Sequence, residues 1–267
     1  MLFKHKKCSN CDAYYDPTLE ECPNCHKNNE LYLNRILTNG IVNLHPLAQI
    51  GLFLVGFAMA GMLITEVILA VFFKNLFTDK SAYEAFLISL TYILMLVGLA
   101  SIVLTTRREH FFSKYKRKLD YIYGVAYAIT LVLVGSLVSS FISLFYEVSD
   151  NVNQSSAIEF IHNYPILAFF ILGFVGPICE ELTYRVGLYS FLKRVNKYAA
   201  LGLTAVIFAL IHFDFTAADM VNEVVALPIY IVSGAILTLA YEHRGPACSM
   251  TAHMAYNIFS FLMILMF

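Results

Sequence analysis

Two adjacent carboxylates, Glu180 and Glu181, lie in one of the most hydrophobic stretches of this chain and are followed by Arg185. A charge at bilayer depth costs at least about 2–3 kcal/mol, so ionisable residues within membrane segments usually serve a function. Glu181 and Arg185 are four residues apart, and this spacing places them on one helix face as an ion pair. Glu180 is rotated from Glu181 by about 100° and lacks such a partner. We therefore expect Glu180 to be the base that activates water.

Two later apolar segments contain histidines at chemically useful spacings. His212 follows Phe208 by four residues and His253 precedes Asn257 by four, so each pair shares a helix face. A histidine can help to hold and deprotonate water, and a histidine with an amide can stabilise an oxyanion or bind a metal ion. Each residue also has a structural interpretation, because polar side chains often form hydrogen bonds between membrane helices. Their occurrence on three helices favours one shared site.

The elements that must position these residues are membrane helices. The chain has 267 residues, of which 59% are hydrophobic and 14% charged, whereas soluble domains are about 25% charged. Apolar runs near the spanning length of about 20 residues predict an all-α polytopic membrane protein. We predict seven spans, the fourth long and the fifth short: Leu47–Phe73, Ala85–Thr106, Leu119–Phe145, Pro165–Phe191, Ala199–His212, Val224–Tyr241 and Ala247–Phe267.

The distribution of Lys and Arg predicts a cytoplasmic N-terminus. With that orientation the inner loops, residues 1–46, 107–118, 192–198 and 242–246, contain fifteen of the 18 cationic residues. Such an excess is typical of cytoplasmic loops. We expect the 107–118 loop to contact anionic lipid rather than nucleic acid, and the acidic outer loop 146–163 to be a solvated connector.

Residues 1–30 form a separate unit that contains four cysteines, Cys8, Cys11, Cys22 and Cys25. Two C-x2-C turns separated by ten residues are typical of a structural zinc site, and so short a segment needs the metal to fold. Two disulfides are the alternative, which a reducing cytosol disfavours. We predict a cytosolic zinc ribbon at 1–30, a linker at 31–46 and a transmembrane domain at 47–267. A cytosolic protein partner of the ribbon is left open.

The spacing of the site residues along their spans restricts the helix geometry. His253 lies about six residues from the inner end of its span, whereas His212 lies near the outer end of a short one. Straight, untilted helices would keep these side chains apart. We therefore expect the fourth and fifth helices to be tilted, overlong or broken, with the site in the cytosolic half of the bundle.

The ordered motifs Glu-Glu-x-x-x-Arg, Phe-x-x-x-His and His-x-x-x-Asn resemble the CAAX protease and bacteriocin-processing (CPBP, or Abi) family. The resemblance covers about Pro165–Phe267 and implies a four-helix catalytic core in a bacterial cell membrane. It also implies an intramembrane endopeptidase that acts on a membrane-associated peptide or protein. In such an enzyme Glu180 and His212 would activate water.

The same resemblance assigns the remaining polar residues. His253 and Asn257 would stabilise the oxyanion, and Glu181 with Arg185 would support them. The family has been described as metal-dependent, but the chain lacks a His-Glu-x-x-His motif, which favours metal-free catalysis by glutamate and leaves a catalytic metal open. The alternatives are a non-enzymatic scaffold or bacteriocin immunity protein that retains the fold and, less favoured, a proton-coupled transporter.

Overall fold

The computed structural model describes residues 6–16, 19, 21–27, 29, 42, 44–60, 70–106, 108–146 and 149–267. An N-terminal unit contains the antiparallel strands β1 (Lys6–Lys7) and β2 (Tyr14–Tyr15), with Lys6 opposite Tyr15. A bundle follows that contains the helices α1 (Pro46–Ala60), α2 (Ala70–Phe73), α3 (Lys80–Thr106), α4 (Arg108–Ser113), α5 (Lys118–Ser143), α6 (Val152–Asn163), α7 (Pro165–Leu192), α8 (Lys197–Leu210), α9 (Met220–Arg244) and α10 (Pro246–Met266).

The helices confirm the predicted all-α polytopic membrane fold. Among the described residues α3, α5, α7, α9 and α10 are long and apolar enough to cross a membrane, while α1 and α8 are shorter apolar helices. Six of the seven predicted spans each coincide with one helix. The other, Leu47–Phe73, contains α1 and α2, but residues 61–69 lie outside the described part of the chain, as does most of the predicted linker.

The connection between α5 and α7 differs from the prediction. We expected a solvated connector over residues 146–163, but Val152–Asn163 forms helix α6. The Asn151 side chain caps this helix by accepting a hydrogen bond from the Gln154 N–H (2.9 Å). Phe160 and Ile161 are buried against α3, α7 and α10. The prediction was wrong because these apolar residues near the end of a polar segment are enough to hold it on the bundle.

Helix α7 is irregular where it carries the two glutamates. The stretches Ile171–Val175 and Glu181–Tyr189 are π-helical, and every residue of the second is buried. A π-helical turn is wider than an α-helical one and is frequently found at functional sites. The irregular geometry agrees with the expectation that the fourth span departs from a straight, regular helix.

Two glycines allow α1 to lie directly against the π-helical part of α7. A Cβ at Gly187 would lie 2.9 Å from the Phe53 nitrogen, and one at Gly56 would overlap the Thr183 side chain. A larger residue at either position would therefore separate the helices. This contact buries α7 on the side away from the histidines.

The two ends of the bundle can be distinguished by their contacts. At the linker end, where residues 42 and 44–46 join the bundle, Arg194 donates hydrogen bonds to the Leu44 carbonyl (2.9 Å) and the Gln49 side chain (3.0 Å). The Val42 N–H also donates to the Tyr241 hydroxyl there (3.1 Å). The opposite end, here the α6 end, is where α6 meets the N-termini of α3 and α9 through the hydrogen bonds of Asn163 to Ser81 and of Val152 to Glu223.

Candidate active site

The predicted ion pair of Glu181 and Arg185 is confirmed. Both side chains are completely buried, and Arg185 Nη1 lies 3.1 Å from Glu181 Oε1. Arg185 Nη2 also donates to the Gly234 carbonyl (3.2 Å), and the guanidinium lies over the Phe208 ring, 4.5 Å from its centroid. A buried charge pair needs such additional contacts to offset desolvation. The pair thus ties α7 to α8 and α9.

His253 lies between the two adjacent carboxylates. Its Nδ1 is 3.0 Å from Glu181 Oε1, and its Nε2 is 3.7 Å from Glu180 Oε2. Because a carboxylate accepts at Nδ1, this nitrogen carries a proton and the ring orientation is fixed. Glu181 therefore has two roles, since it neutralises Arg185 and orients His253.

Glu180 directs its carboxylate away from that ion pair. The side chain is largely buried, and the Tyr92 hydroxyl approaches Oε1 at 3.5 Å. Within the described part of the chain, Oε2 has no hydrogen-bond partner. A buried polar atom without a partner costs about 1–3 kcal/mol. This oxygen is therefore a natural acceptor for a water molecule or a substrate group.

The His212 ring is held by a hydrogen bond to a backbone carbonyl and by a stacked tyrosine. Its Nδ1 lies 2.8 Å from the Phe208 carbonyl, to which it donates, so Nε2 remains an acceptor. The imidazole stacks on Tyr230 with centroids 4.5 Å apart and an interplanar angle of 20°. It also contacts the Phe208 ring at 4.9 Å. These contacts fix the ring orientation with one nitrogen available.

The structure brings the predicted residues together in one cavity of about 260 Å³. Glu180, His212, His253 and Asn257 all line it, whereas Glu181 and Arg185 lie in the protein behind His253. The rest of the polar lining consists of neutral side chains: Tyr92, Asn153, Gln154, Tyr230, Ser233, Tyr256 and Ser260.

Asn257 makes a contact that the sequence did not indicate. Its Nδ2 donates a hydrogen bond to the Leu172 carbonyl (2.8 Å), which belongs to the first π-helical stretch of α7. An amide nitrogen carries two hydrogens, so this contact uses one of them. The residue therefore links α10 to the irregular part of α7 at the wall of the cavity.

A further buried carboxylate, Glu223, was not identified from the sequence. It accepts hydrogen bonds from the backbone N–H groups of Val152 (2.8 Å) and Asp214 (3.0 Å) and from the Asn151 amide (3.4 Å). The Asn151 amide also donates to the His212 carbonyl (3.2 Å). Because the predicted sixth span began at Val224, Glu223 was left out of the site. The only signal in the sequence was that this carboxylate directly precedes a predicted span.

The nitrogens of the two histidines are largely committed to other groups. Both nitrogens of His253 face carboxylates, and His212 Nδ1 is bonded to a carbonyl. Among the described residues, one group of three or more His, Cys, Asp or Glu side chains has its donor atoms within 4.8 Å of one another. It consists of Cys8, Cys11, Cys22 and Cys25. The donors of the cavity therefore do not converge on one point.

The four cysteine sulfurs have spacings that suit a tetrahedral metal ion. The Sγ atoms of Cys8 and Cys25 are 3.6 Å apart, as are those of Cys11 and Cys22. A tetrahedral site with Zn–S bonds of about 2.3 Å places its sulfurs about 3.8 Å apart. The N-terminal cluster is therefore compatible with a structural metal site.

The two C-x2-C turns are equivalent in backbone structure. The residue after each turn, Asp12 or His26, has a positive φ and donates its N–H to the carbonyl of the first cysteine of its turn. Burial raises the pKa of the Cys22 thiol to about 11, whereas the Asn10 N–H lowers the pKa of the Cys8 thiol. Because a metal-binding thiol must lose its proton, acid should oppose metal binding.

Comparison with known proteins agrees with the resemblance carried by the motifs. Residues 161–259 match a family model described as Rce1-like, type II CAAX prenyl endopeptidase. All six residues proposed for the site lie in this range. The chain is also 27% identical over 153 residues to the UPF0177 protein YvdC of Lactococcus lactis, across 57% of this chain and 55% of that protein. The match thus spans about half of the relative's length. No solved structure matches.

Proposed function

From the resemblance of residues 161–259 to the type II CAAX prenyl endopeptidases, we propose that this integral membrane protein is an intramembrane endopeptidase. Its substrate is a membrane-associated peptide or protein. The observation that supports this most strongly is that Oε2 of Glu180, which has no hydrogen-bond partner among the described residues, lies beside a cavity that His212 and His253 also line. A base, a second acceptor and a donor at one cavity are the groups that peptide hydrolysis by water requires.

The proposed reaction begins with a water molecule held between Glu180 and Nε2 of His212. Glu180 takes one proton as the water oxygen bonds to the substrate carbonyl carbon, which gives a tetrahedral oxyanion. Glu180 then returns the proton to the amide nitrogen, the C–N bond breaks, and an amine and a carboxylic acid leave. General acid–base catalysis of this kind contributes about 10²–10⁴-fold to the rate.

The charges of the cluster explain how the oxyanion would be stabilised. In the proposed mechanism Arg185 balances the charge of Glu181, and His253, whose Nε2 faces Glu180, supplies a donor. As negative charge passes from Glu180 to the oxyanion, Nε2 of His253, which lies 3.7 Å from Glu180 Oε2, would donate to the oxyanion. The second amide hydrogen of Asn257 would provide another donor. Donors that are fixed before the reaction are the most effective in such a role.

This mechanism assigns no step to a catalytic metal. The experiment that tests it uses purified protein in vesicles with membrane-associated peptides in ¹⁸O-labelled water. We expect one ¹⁸O atom at each new carboxyl terminus and continued activity in the presence of a chelator. Loss of activity with the chelator and its recovery with added metal, in a variant whose Cys8, Cys11, Cys22 and Cys25 are replaced with serine, would contradict the metal-free mechanism. The absence of cleavage would contradict the peptidase function.

We further propose that the N-terminal cluster binds one structural Zn²⁺. Replacing Cys11 and Cys25 together with serine should reduce the zinc content of the purified full chain from one ion per molecule to near zero. Elemental analysis measures this directly, and Cys248→Ala is a matched control because Cys248 is buried in α10. Lowering the pH should release the metal as thiolates gain protons. Unchanged zinc in the double variant would place the ion elsewhere.

Glu223→Gln should reduce activity through the position of His212. The substitution turns one acceptor into an amide donor facing the N–H groups of Val152 and Asp214, at a cost of about 1–3 kcal/mol. We expect a lower kcat with little change in KM, because the cavity lining that would hold substrate is retained. Kinetics with Asp219→Asn as the control measure this, since the described hydrogen bonds of the Asp219 carboxylate are with Val221 and Asn222 at the start of α9. Equal kcat values for Glu223→Gln and wild type would exclude the positioning role.

A further inference from the structure

The site cavity extends from the middle of the bundle to its α6 end. At its deep end are Glu180, fifteen residues from the start of α7, and His253, seven residues from the start of α10. At the α6 end the lining includes Asn153 and Gln154 of α6 and also Ile264, two residues before the end of α10. With a rise of about 1.5 Å per residue, the lining residues of α10 follow that helix from His253 to Ile264, over about half of its length, toward the α6 end.

Within the described part of the chain, the lining of this cavity does not reach the linker end of the bundle. Among the described residues, none of those that line it belongs to the 107–118 loop, the turn after α7 or the turn between α9 and α10. A separate cavity of about 400 Å³ does lie toward that end, lined by Phe111, Tyr115 and Met250 among others. Its lining is almost entirely apolar and shares no residue with the site cavity. Ile178 and Leu182, which precede and follow Glu180 in α7, line this apolar cavity.

The charges identify the side of the membrane on which each end lies. The loops at the linker end carry most of the cationic residues of the bundle, including Lys193, Lys197 and Arg244, which pair with Glu242 or Asp120. The connections at the α6 end contribute two, Lys74 and Lys80. Loops rich in Lys and Arg remain in the cytoplasm. The linker end is therefore the cytoplasmic one, and the α6 end faces the opposite side.

We propose that substrate reaches Glu180 from the extracytoplasmic side, through the end of the cavity walled by α6. The substrate is then an extracytoplasmic peptide segment, such as the outer flank of a membrane-anchored peptide, and not a cytosolic C-terminal tail. That the molecule entering the cavity is a substrate rests on the proposed peptidase function, whereas the direction of access does not. This direction of access differs from the cytosolic half that the spacing of His212 and His253 had indicated.

The size and lining of the cavity suit such a segment. Its volume of about 260 Å³ is slightly below the range of about 300–1,000 Å³ that is typical of small-molecule pockets. An extended stretch of a few residues fits it, whereas a folded domain does not. The neutral polar groups near α6, Asn153 and Gln154 among them, can pair with the backbone of an extended peptide without requiring a charged side chain.

The test is labelling of single introduced cysteines with a membrane-impermeant maleimide, which does not depend on catalysis. Ser233→Cys and Ser260→Cys report on the cavity, Ser155→Cys on exposed α6, and Lys116→Cys on the exposed linker end. Each full-length variant is prepared in right-side-out and in inverted vesicles, and peptide mapping identifies the labelled residue. Peptide mapping separates these positions from the six native cysteines, of which Cys179 and Cys248 are fully buried and Cys11 and Cys25 are partly exposed.

We expect Ser260→Cys and Ser155→Cys to react several-fold faster in right-side-out vesicles, and Lys116→Cys to react several-fold faster in inverted ones. Ser233→Cys, which lies deeper in the cavity, should show the same preference for right-side-out vesicles but react more slowly than Ser260→Cys. If the cavity cysteines follow Lys116→Cys, or do not react from either side, the access route is wrong. If Lys116→Cys reacts in right-side-out vesicles, the orientation is wrong. Each of these outcomes overturns the proposal without deciding whether the protein is a peptidase.

Discussion

Replacing Glu180 with glutamine is expected to lower the rate of peptide hydrolysis by about 10²–10⁴-fold or more. Glutamine has nearly the same shape as glutamate, so the cavity keeps its form, but the amide cannot accept a proton from water. The contact with His253 also loses its charge, because Nε2 would face a neutral group in place of the carboxylate 3.7 Å away. The rate is measured with the purified variant in vesicles on a peptide that the wild type cuts.

A matched control separates this effect from a general effect of removing a carboxylate. Glu159→Gln makes the same chemical change on the exposed side of α6, outside the site cavity. We expect this variant to have the wild-type rate, and both variants to show the wild-type unfolding temperature within a few degrees. A Glu180→Gln protein that is folded and fully active would exclude Glu180 as the base.

Replacing Arg185 with methionine is expected to lower the free energy of unfolding by about 3–5 kcal/mol, because it leaves a buried charge on Glu181 without its partner. Arg185 is completely buried and within 3.1 Å of that carboxylate. The variant should therefore unfold at a clearly lower temperature in detergent. Reduced amounts of folded protein in the membrane should accompany this change.

The double variant Glu181→Leu with Arg185→Met tests the physical reason for that loss. Removing both charges removes the unpaired carboxylate, so the double variant should be more stable than Arg185→Met alone. It should nevertheless be inactive, since Nδ1 of His253 loses the acceptor that orients the ring. A double variant as unstable as the single one would show that shape, rather than charge, holds Arg185 in place.

The sequence was sufficient for the features that depend on local spacing. The ion pair of Glu181 and Arg185 follows from four-residue spacing on a helix, and the structure contains it. Hydropathy located the helices because a spanning segment must be apolar over about 20 residues. Each C-x2-C turn likewise brings its own two cysteines together by local spacing, and the repeat of the turn indicated that the two pairs meet, as they do in the structure.

Features that depend on contacts between distant segments could not be predicted in this way. The π-helical stretches of α7 leave no clear mark on apolar periodicity, since every residue of Glu181–Tyr189 is buried. Glu223 accepts hydrogen bonds from α6 and from the segment after α8, so its role appears only when those segments are placed. The course of the cavity depends on α6 lying against α10, whereas the polar composition of α6 indicated a solvated loop.

The central claim is most directly tested by comparing newly formed protein termini in native membranes that contain the wild type or Glu180→Gln at matched expression. The peptidase function predicts termini that occur only with the wild type, and these would identify the substrate and its cleavage site. Cleavage sites on extracytoplasmic flanks would agree with access from the α6 end. Identical profiles, with the variant inserted and folded, would contradict the account and favour a non-enzymatic scaffold or immunity protein.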